Sequence, residues 1–278
     1  MITDLPLALR APLHTPALLR FLTLHAVPGV ESVEGQTYRC TLRLAHGHGR
    51  AAVTLSPAMV HLELDVTDAA DVADAVARLR CLLDLDADPL TVDAALATMR
   101  AVRPLVRRRP GLRAPGAVDG FELAAGTIVG QQVSLAGART VLGRLVARYG
   151  EPVDDGWRLF PSPETIAALD PETLPMPRSR GRALVGLARA VAGGRLSLAL
   201  GADPDQTQAA LLSLPGVGPW TARYVRMRVC NDPDVLLRED LAVRKILGRL
   251  GITASDAARC APWRSYLSHH LWAEFVAT

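Results

Sequence analysis

The chain has 278 residues, 49% of them hydrophobic and 21% charged, enough for two domains and a substantial core, which excludes a disordered protein. Its formal charge of +3 is too small to establish nucleic-acid binding by itself, and no apolar run approaches the roughly 20 residues that span a bilayer. The start MITDLPLALRAPLHTP lacks a basic stretch followed by an apolar core, so a cytoplasmic location and no membrane partner are expected.

The first part reads as α+β. Thr15 can cap a helix with Pro16 at its first position, and Leu18, Leu19, Leu22 and Ala26 then recur at helical spacing. TYRCTLRL alternates Tyr38, Cys40, Leu42 and Leu44 with polar residues, as a half-buried strand does. HGHG (46–49) signals a turn, and RAAVTLS and VHLELDV continue as strands before DVADAVARLRCLLDL returns to helical periodicity. These elements predict helix, three strands, helix: a small antiparallel sheet covered on one face. After about Asp88 the strands stop, and an arginine- and proline-rich segment leads into helices. Asp119 with Glu122 predicts a capping box; Ser134, Ser162 and Asp203 predict further helix starts, and Gly150 a helix end. The resulting domains are 1–88 (α+β), 113–230 (helical), and a second helical unit made of 89–112 and 231–278. Cys40, Cys81, Cys230 and Cys260 form no CxxC pair, so no zinc or iron–sulfur site is signalled. DLDADP (84–89) lacks the glycine and glutamate of a calcium loop. His269 and His270 are adjacent and point to different sides of a helix, which disfavours a shared metal.

Between two predicted helices lies SLPGVGPWTARYV (213–225). Pro219 suits a first helical position, and Gly216 and Gly218 free the backbone and expose amides. With the open N–H groups of the new helix, those amides suit one phosphate. A helix–helix turn with no ligand would use the same residue types. Trp220, Tyr224 and Met227 share one face of the second helix, where rings can either pack in a core or stack on a base. Asp240, 20 residues after Trp220, also has two readings on the residues alone. It can cap the helix that carries Val243, Ile246, Leu247 and Leu250. It can equally be a carboxylate that stabilises positive charge on a sugar as an N-glycosidic bond breaks.

LPGVGPWTARYVRMR, PDVLLREDLAVRK, APWRSYLSHHLW and GFELAAGTIVGQQVSLAGA, in their places along the chain, resemble the successive motifs of DNA-3-methyladenine glycosylase II, a base excision repair family with a helix–hairpin–helix. The resemblance implies a mainly α fold with an N-terminal α+β domain and a two-part helical glycosylase core. It implies that Asp240 is catalytic and that Trp220, Tyr224, Trp272 and, from the N-terminal domain, Phe21 line a pocket for a flipped base. Gly216, Gly218, Thr221 and Arg264 fall where DNA is held, and Gln132 where a side chain fills the gap left by the flipped nucleotide. The carbonyls of Leu212, Leu214 and Val217 fall where the family's hairpin holds a monovalent cation, Na or K; no other cofactor is required. Trp220 occupies the position at which relatives that also nick DNA carry a lysine, and the only lysine here is Lys245. The expected activity is hydrolytic excision of 3-methyladenine- and 7-methylguanine-type bases from double-stranded DNA by a monomer, without lyase chemistry. Alternatives are a glycosylase for another lesion, such as hypoxanthine or an oxidised base, and a non-catalytic helix–hairpin–helix DNA-binding protein.

Overall fold

The computed structural model describes residues 2–154 and 156–276. Its N-terminal part is a five-stranded antiparallel sheet, where sequence periodicity predicts three strands. The strands are β1 (Ile2–Leu7), β2 (Glu31–Glu34), β3 (Thr37–Arg43), β4 (His48–Leu55) and β5 (Val60–Val66), in the order β1-β5-β4-β3-β2. The two additional strands are the edges. β1 carries Pro6 and pairs with β5, about 60 residues away along the chain, and β2 is four mostly polar residues, so neither announces itself by local pattern. The alternation in β3 holds: Tyr38, Cys40 and Leu42 are buried.

Helices α1 (Thr15–His25) and α2 (Val72–Leu82) supply Leu18, Leu22, Ala75 and Leu79 to the core beneath the sheet. The cap of α1 differs from expectation. His14, not Thr15, precedes the helix, its ring Nδ1 accepting from the Ala17 N–H at 3.2 Å, while the Thr15 hydroxyl turns back to the Leu13 carbonyl. The sheet is also tied to the following domain. The Thr41 hydroxyl donates to the Arg158 carbonyl, and Arg43 donates to the Phe160 carbonyl and Glu151.

The rest is helical apart from a small hairpin, β6 (Pro152–Asp154) and β7 (Trp157–Arg158). Helices α3 (Pro89–Ala97) and α4 (Arg103–Arg108) precede α5 (Gly120–Val129), α6 (Leu135–Tyr149), α7 (Pro163–Ala167) and α8 (Arg178–Ala192). They are followed by α9 (Pro204–Leu212), α10 (Pro219–Val229), α11 (Leu241–Arg249), α12 (Ala254–Ala258) and α13 (Arg264–Val276). Ser134, Ser162 and Asp203 accept from the backbone N–H three residues on, as short polar side chains at helix starts do. The predicted capping box before α5 is half made: Asp119 accepts from the Glu122 N–H, but the Glu122 carboxyl turns into a cavity instead of returning the bond.

One helical core runs from Phe121 to Val229 and takes in Val27 and Val30 from the loop after α1. Another joins α3 and α4 to α11 and α13 through Val92, Leu105, Val243 and Leu267. Between these bodies a small cluster of Met227, Val235 and Leu237 supports Trp220, Tyr224 and Trp272. That platform sets the position of the site. Among the described residues no helix is long and apolar enough to cross a membrane.

Candidate active site

The turn between α9 and α10 is tight for an identifiable reason. Gly216 has φ +84°, and a Cβ added there would lie 2.8 Å from the Ala183 Cβ of α8, so both its conformation and its packing require glycine. Gly218 differs from expectation in this respect. Its φ is −93°, which any residue adopts, and a Cβ there would meet open space. What Gly218 offers is a bare backbone at the N-terminus of α10, where the first N–H groups have no intrahelical acceptor.

A second loop braces the turn. Gln131, between α5 and α6, donates from Nε2 to the Gly216 carbonyl and to the Thr221 hydroxyl, each at 3.1 Å. Thr221 is buried at 4% exposure, and its hydroxyl accepts this bond inside the protein. Its neighbour Gln132 is exposed, with φ +57°, at the tip of the same loop beside exposed Val133 and Leu135. The Arg264 guanidinium is held by both oxygens of Asp234 at 2.6 and 2.7 Å. At the hairpin, the Leu214 carbonyl accepts from the Val217 N–H at 3.1 Å. Among the described residues no N–H is directed at the Leu212 and Val217 carbonyls, so this donor set keeps oxygens open to a cation.

Asp240 is a helix cap that also stands in a cavity wall. It caps α11, with Oδ1 accepting from the Val243 N–H at 3.0 Å. The same Oδ1 accepts from the Trp272 indole N–H at 3.1 Å, and Oδ2 from the Trp220 indole N–H at 3.3 Å. Three donors from three helices fix the carboxylate, and Oδ2, with a single donor, keeps acceptor capacity. The group is half-buried and lines a cavity of about 700 Å³, within the range of small-molecule sites.

Trp220, Tyr224, Trp272 and Phe21 line the same cavity. Their faces are not all free. Trp220 and Tyr224 stack on each other with centroids 5.2 Å apart and planes within 10°, and Tyr224 meets Trp272 at 6.0 Å. Phe21 stacks on His25 at 4.2 Å, and the Arg228 guanidinium lies over its ring at 4.6 Å.

Arg228 is the residue that sequence reasoning missed. It is 4% exposed and donates to the Pro115 and Gly116 carbonyls and, at 2.7 Å, to the Tyr224 hydroxyl. The signal was present: Trp220, Tyr224 and Arg228 fall at i, i+4 and i+8, one face of α10. Its charge and burial act on their neighbours. Burial first, then Arg228, pushes His25 down to about 4, and burial holds His269 well below the usual imidazole range. Elsewhere in the cavity wall Glu31 accepts from the Tyr38 hydroxyl at 2.5 Å and from the Val27 N–H. Burial raises the Glu31 carboxyl, and burial together with the Glu31 charge raises Glu122 well above the usual carboxylate range.

An α+β domain followed by a helical core, with a hairpin and the Asp240 carboxylate held by indole N–H groups beside a ring-lined cavity, defines the helix–hairpin–helix glycosylase class of fold. Residues 4–119 match the AlkA N-terminal domain, and residues 125–261 match the HhH-GPD superfamily base excision DNA repair protein. The chain belongs to the AlkA-type DNA-3-methyladenine glycosylase family of that superfamily. It is 36% identical to DNA-3-methyladenine glycosylase 2 of Escherichia coli over 268 residues, 92% of each chain. It is 41% identical to the probable bifunctional transcriptional activator/DNA repair enzyme AlkA of Mycobacterium tuberculosis over 97% of its own length, and spans 56% of that longer protein. The fold is similar to that of the 3-methyladenine DNA glycosylase from Archaeoglobus fulgidus, with TM-score 0.82, 20% identity and 98% of each chain covered.

Proposed function

We propose that the protein is a monofunctional DNA glycosylase that extrudes alkylated purines from duplex DNA and hydrolyses their N-glycosidic bond. The observation that carries this reading is Asp240, held by two indole N–H groups with an oxygen left for a further partner in the wall of an aromatic cavity. Backbone N–H groups at the start of α10 anchor phosphate without reading sequence, and exposed Gln132 fills the gap left by the extruded nucleotide. Extrusion costs a few kcal/mol, less at a weakened pair. A cationic base such as 3-methyladenine or 7-methylguanine gains on the order of 0.5–2 kcal/mol from an aromatic face, and it leaves readily without a strong general acid. Asp240 stabilises positive charge on the sugar as the bond breaks and guides water to C1′.

Trp220 stands where an attacking amine would be needed, and Lys245, the only lysine, lies on α11 beside Phe275, outside the cavity lining. Water is therefore the nucleophile, and the product is an intact abasic strand. A monovalent cation on the Leu212, Leu214 and Val217 carbonyls would stiffen the hairpin and add positive potential near the phosphate. The protein acts as a monomer on one bent duplex; a solved Schizosaccaromyces pombe relative of the same fold is a complex with abasic DNA.

The test is incubation with methylated duplex DNA and chromatography of what is released. Free 3-methyladenine and 7-methylguanine, with strand breaks appearing only after alkali, are the expected products. Strand breaks without alkali overturn the hydrolytic mechanism, and no released base overturns the activity.

A further inference from the structure

The cavity contains a polar group that the mechanism above does not use. His269, on α13 three residues before Trp272, is 5% exposed and lines the cavity, and its Nε2 has no hydrogen-bond partner among the described residues. Buried polar atoms in folded proteins are nearly always paired, so an orphan in a cavity wall points to an occupant that supplies the partner. Its setting identifies what kind of occupant. The His269 ring stands edge-on to Trp272, with centroids 4.9 Å apart at 88°, and 5.4 Å from Phe21 at 62°. It therefore lies between two rings of the proposed base pocket, and Trp272 is one of the two rings whose N–H groups hold Asp240. His270 makes the contrast: both its ring nitrogens also lack partners, but it is fully buried outside the cavity lining and can meet no ligand.

Ring faces and a ring edge select for different things. A cationic base is held by aromatic faces through its charge and needs no directional bond. An uncharged purine lacks that attraction, and the Arg228 guanidinium already lies over the Tyr224 and Phe21 rings, at 5.6 and 4.6 Å. Such a base must be held by its polar rim. We propose that His269 is a specificity-determining residue that hydrogen-bonds the rim of an extruded uncharged purine. Burial beside Arg228 keeps the imidazole neutral, so in either tautomer Nε2 makes one bond, as donor or as acceptor, to a purine ring nitrogen or exocyclic group. This inference rests on the proposed excision reading and extends it to neutral bases.

The test is single-turnover excision from two duplexes, one with 7-methylguanine and one with hypoxanthine, by the wild type, His269→Leu and His269→Asn. A polar site that loses its hydrogen bond to a substrate discriminates strongly. His269→Leu is expected to lower the ratio of the hypoxanthine rate to the 7-methylguanine rate at least about tenfold, whatever it does to both rates together. His269→Asn, which keeps a donor and an acceptor, should recover part of the loss. Circular dichroism melting shows whether the variants are folded. Equal effects on the two bases, as a water-filled or merely structural histidine would give, overturn the proposal, as does failure of the wild type to excise hypoxanthine. Failure of the wild type on 7-methylguanine overturns instead the reading on which it rests.

Discussion

Replacing Gly216 by alanine tests whether the hairpin is built as described. The new methyl group meets two obstacles. The backbone at φ +84° lies in the left-handed region, which costs a residue with a Cβ roughly 1–2 kcal/mol. The Cβ would also approach the Ala183 Cβ to 2.8 Å, and Ala183 is buried on α8, so it cannot swing aside; overpacking of this kind costs about 1–3 kcal/mol. Loss of glycine freedom in the unfolded chain returns roughly 0.4–1 kcal/mol. Gly216→Ala should therefore destabilise by about 2–4 kcal/mol, a fall in melting temperature of roughly 5–12 °C. Gly218→Ala is the control. With φ −93° and open space at its Cβ position, it should be neutral or slightly stabilising, and any loss it causes should appear in DNA affinity alone. Thermal unfolding followed by circular dichroism, with salt-dependent binding to duplex DNA in parallel, separates the two. Equal destabilisation by both changes would refute the reasoning.

Gln131→Ala removes the donor shared by the Gly216 carbonyl and the buried Thr221 hydroxyl, and should cost about 1–2 kcal/mol and speed amide exchange in residues 130–134, read by hydrogen-exchange mass spectrometry. Arg228→Met strands the Pro115 and Gly116 carbonyls and the Tyr224 hydroxyl, so roughly 2–5 kcal/mol should be lost. Arg223→Met breaks only the solvent-facing ion pair with Glu239 and should cost under about 1 kcal/mol, both being measured by urea unfolding. The folded chain holds His25 down to about 4 against 6.5 for the free side chain, so its contribution is complete above pH 6.5 and is lost as pH falls through 4. That contribution is on the order of 3 kcal/mol, and His25→Phe, which retains a ring to stack on Phe21, should flatten the acid limb of the stability–pH curve.

Much of this molecule was legible because its helices are locally encoded. Ser134, Ser162, Asp203 and Asp240 are each followed three residues later by the N–H that their side chain accepts, a relation needing no tertiary information. The edge strands β1 and β2 were not legible, since one depends on a distant partner and the other is too short and polar to alternate. In the site, the spacing of Trp220 and Tyr224 placed both rings on one face, but not their mutual stacking, which uses up a face of each. Arg228 was hidden by abundance, one arginine among many, although the i+8 spacing marked it. His269 was weighed only as a metal ligand beside His270, because its neighbours Phe21 and Trp272 are assembled from opposite ends of the chain. The partners of Thr221 and Arg264 were not legible either, because Gln131 and Asp234, which engage them, lie 90 and 30 residues away along the chain.

Asp240 both caps a helix and faces the cavity, and asparagine separates these roles. Asparagine caps helices as well as aspartate does and keeps an oxygen for the Val243 and Trp272 N–H groups, but its amide nitrogen cannot accept from the Trp220 N–H, so Asp240→Asn should lose about 1–3 kcal/mol and still fold and bind duplex DNA. It lacks the negative charge that would steady the sugar. The decisive quantity is the single-turnover rate at which this variant releases 7-methylguanine from duplex DNA. A fall of about a thousandfold or more with the fold and DNA affinity retained is the predicted result; release at the wild-type rate would leave Asp240 a helix cap and nothing more.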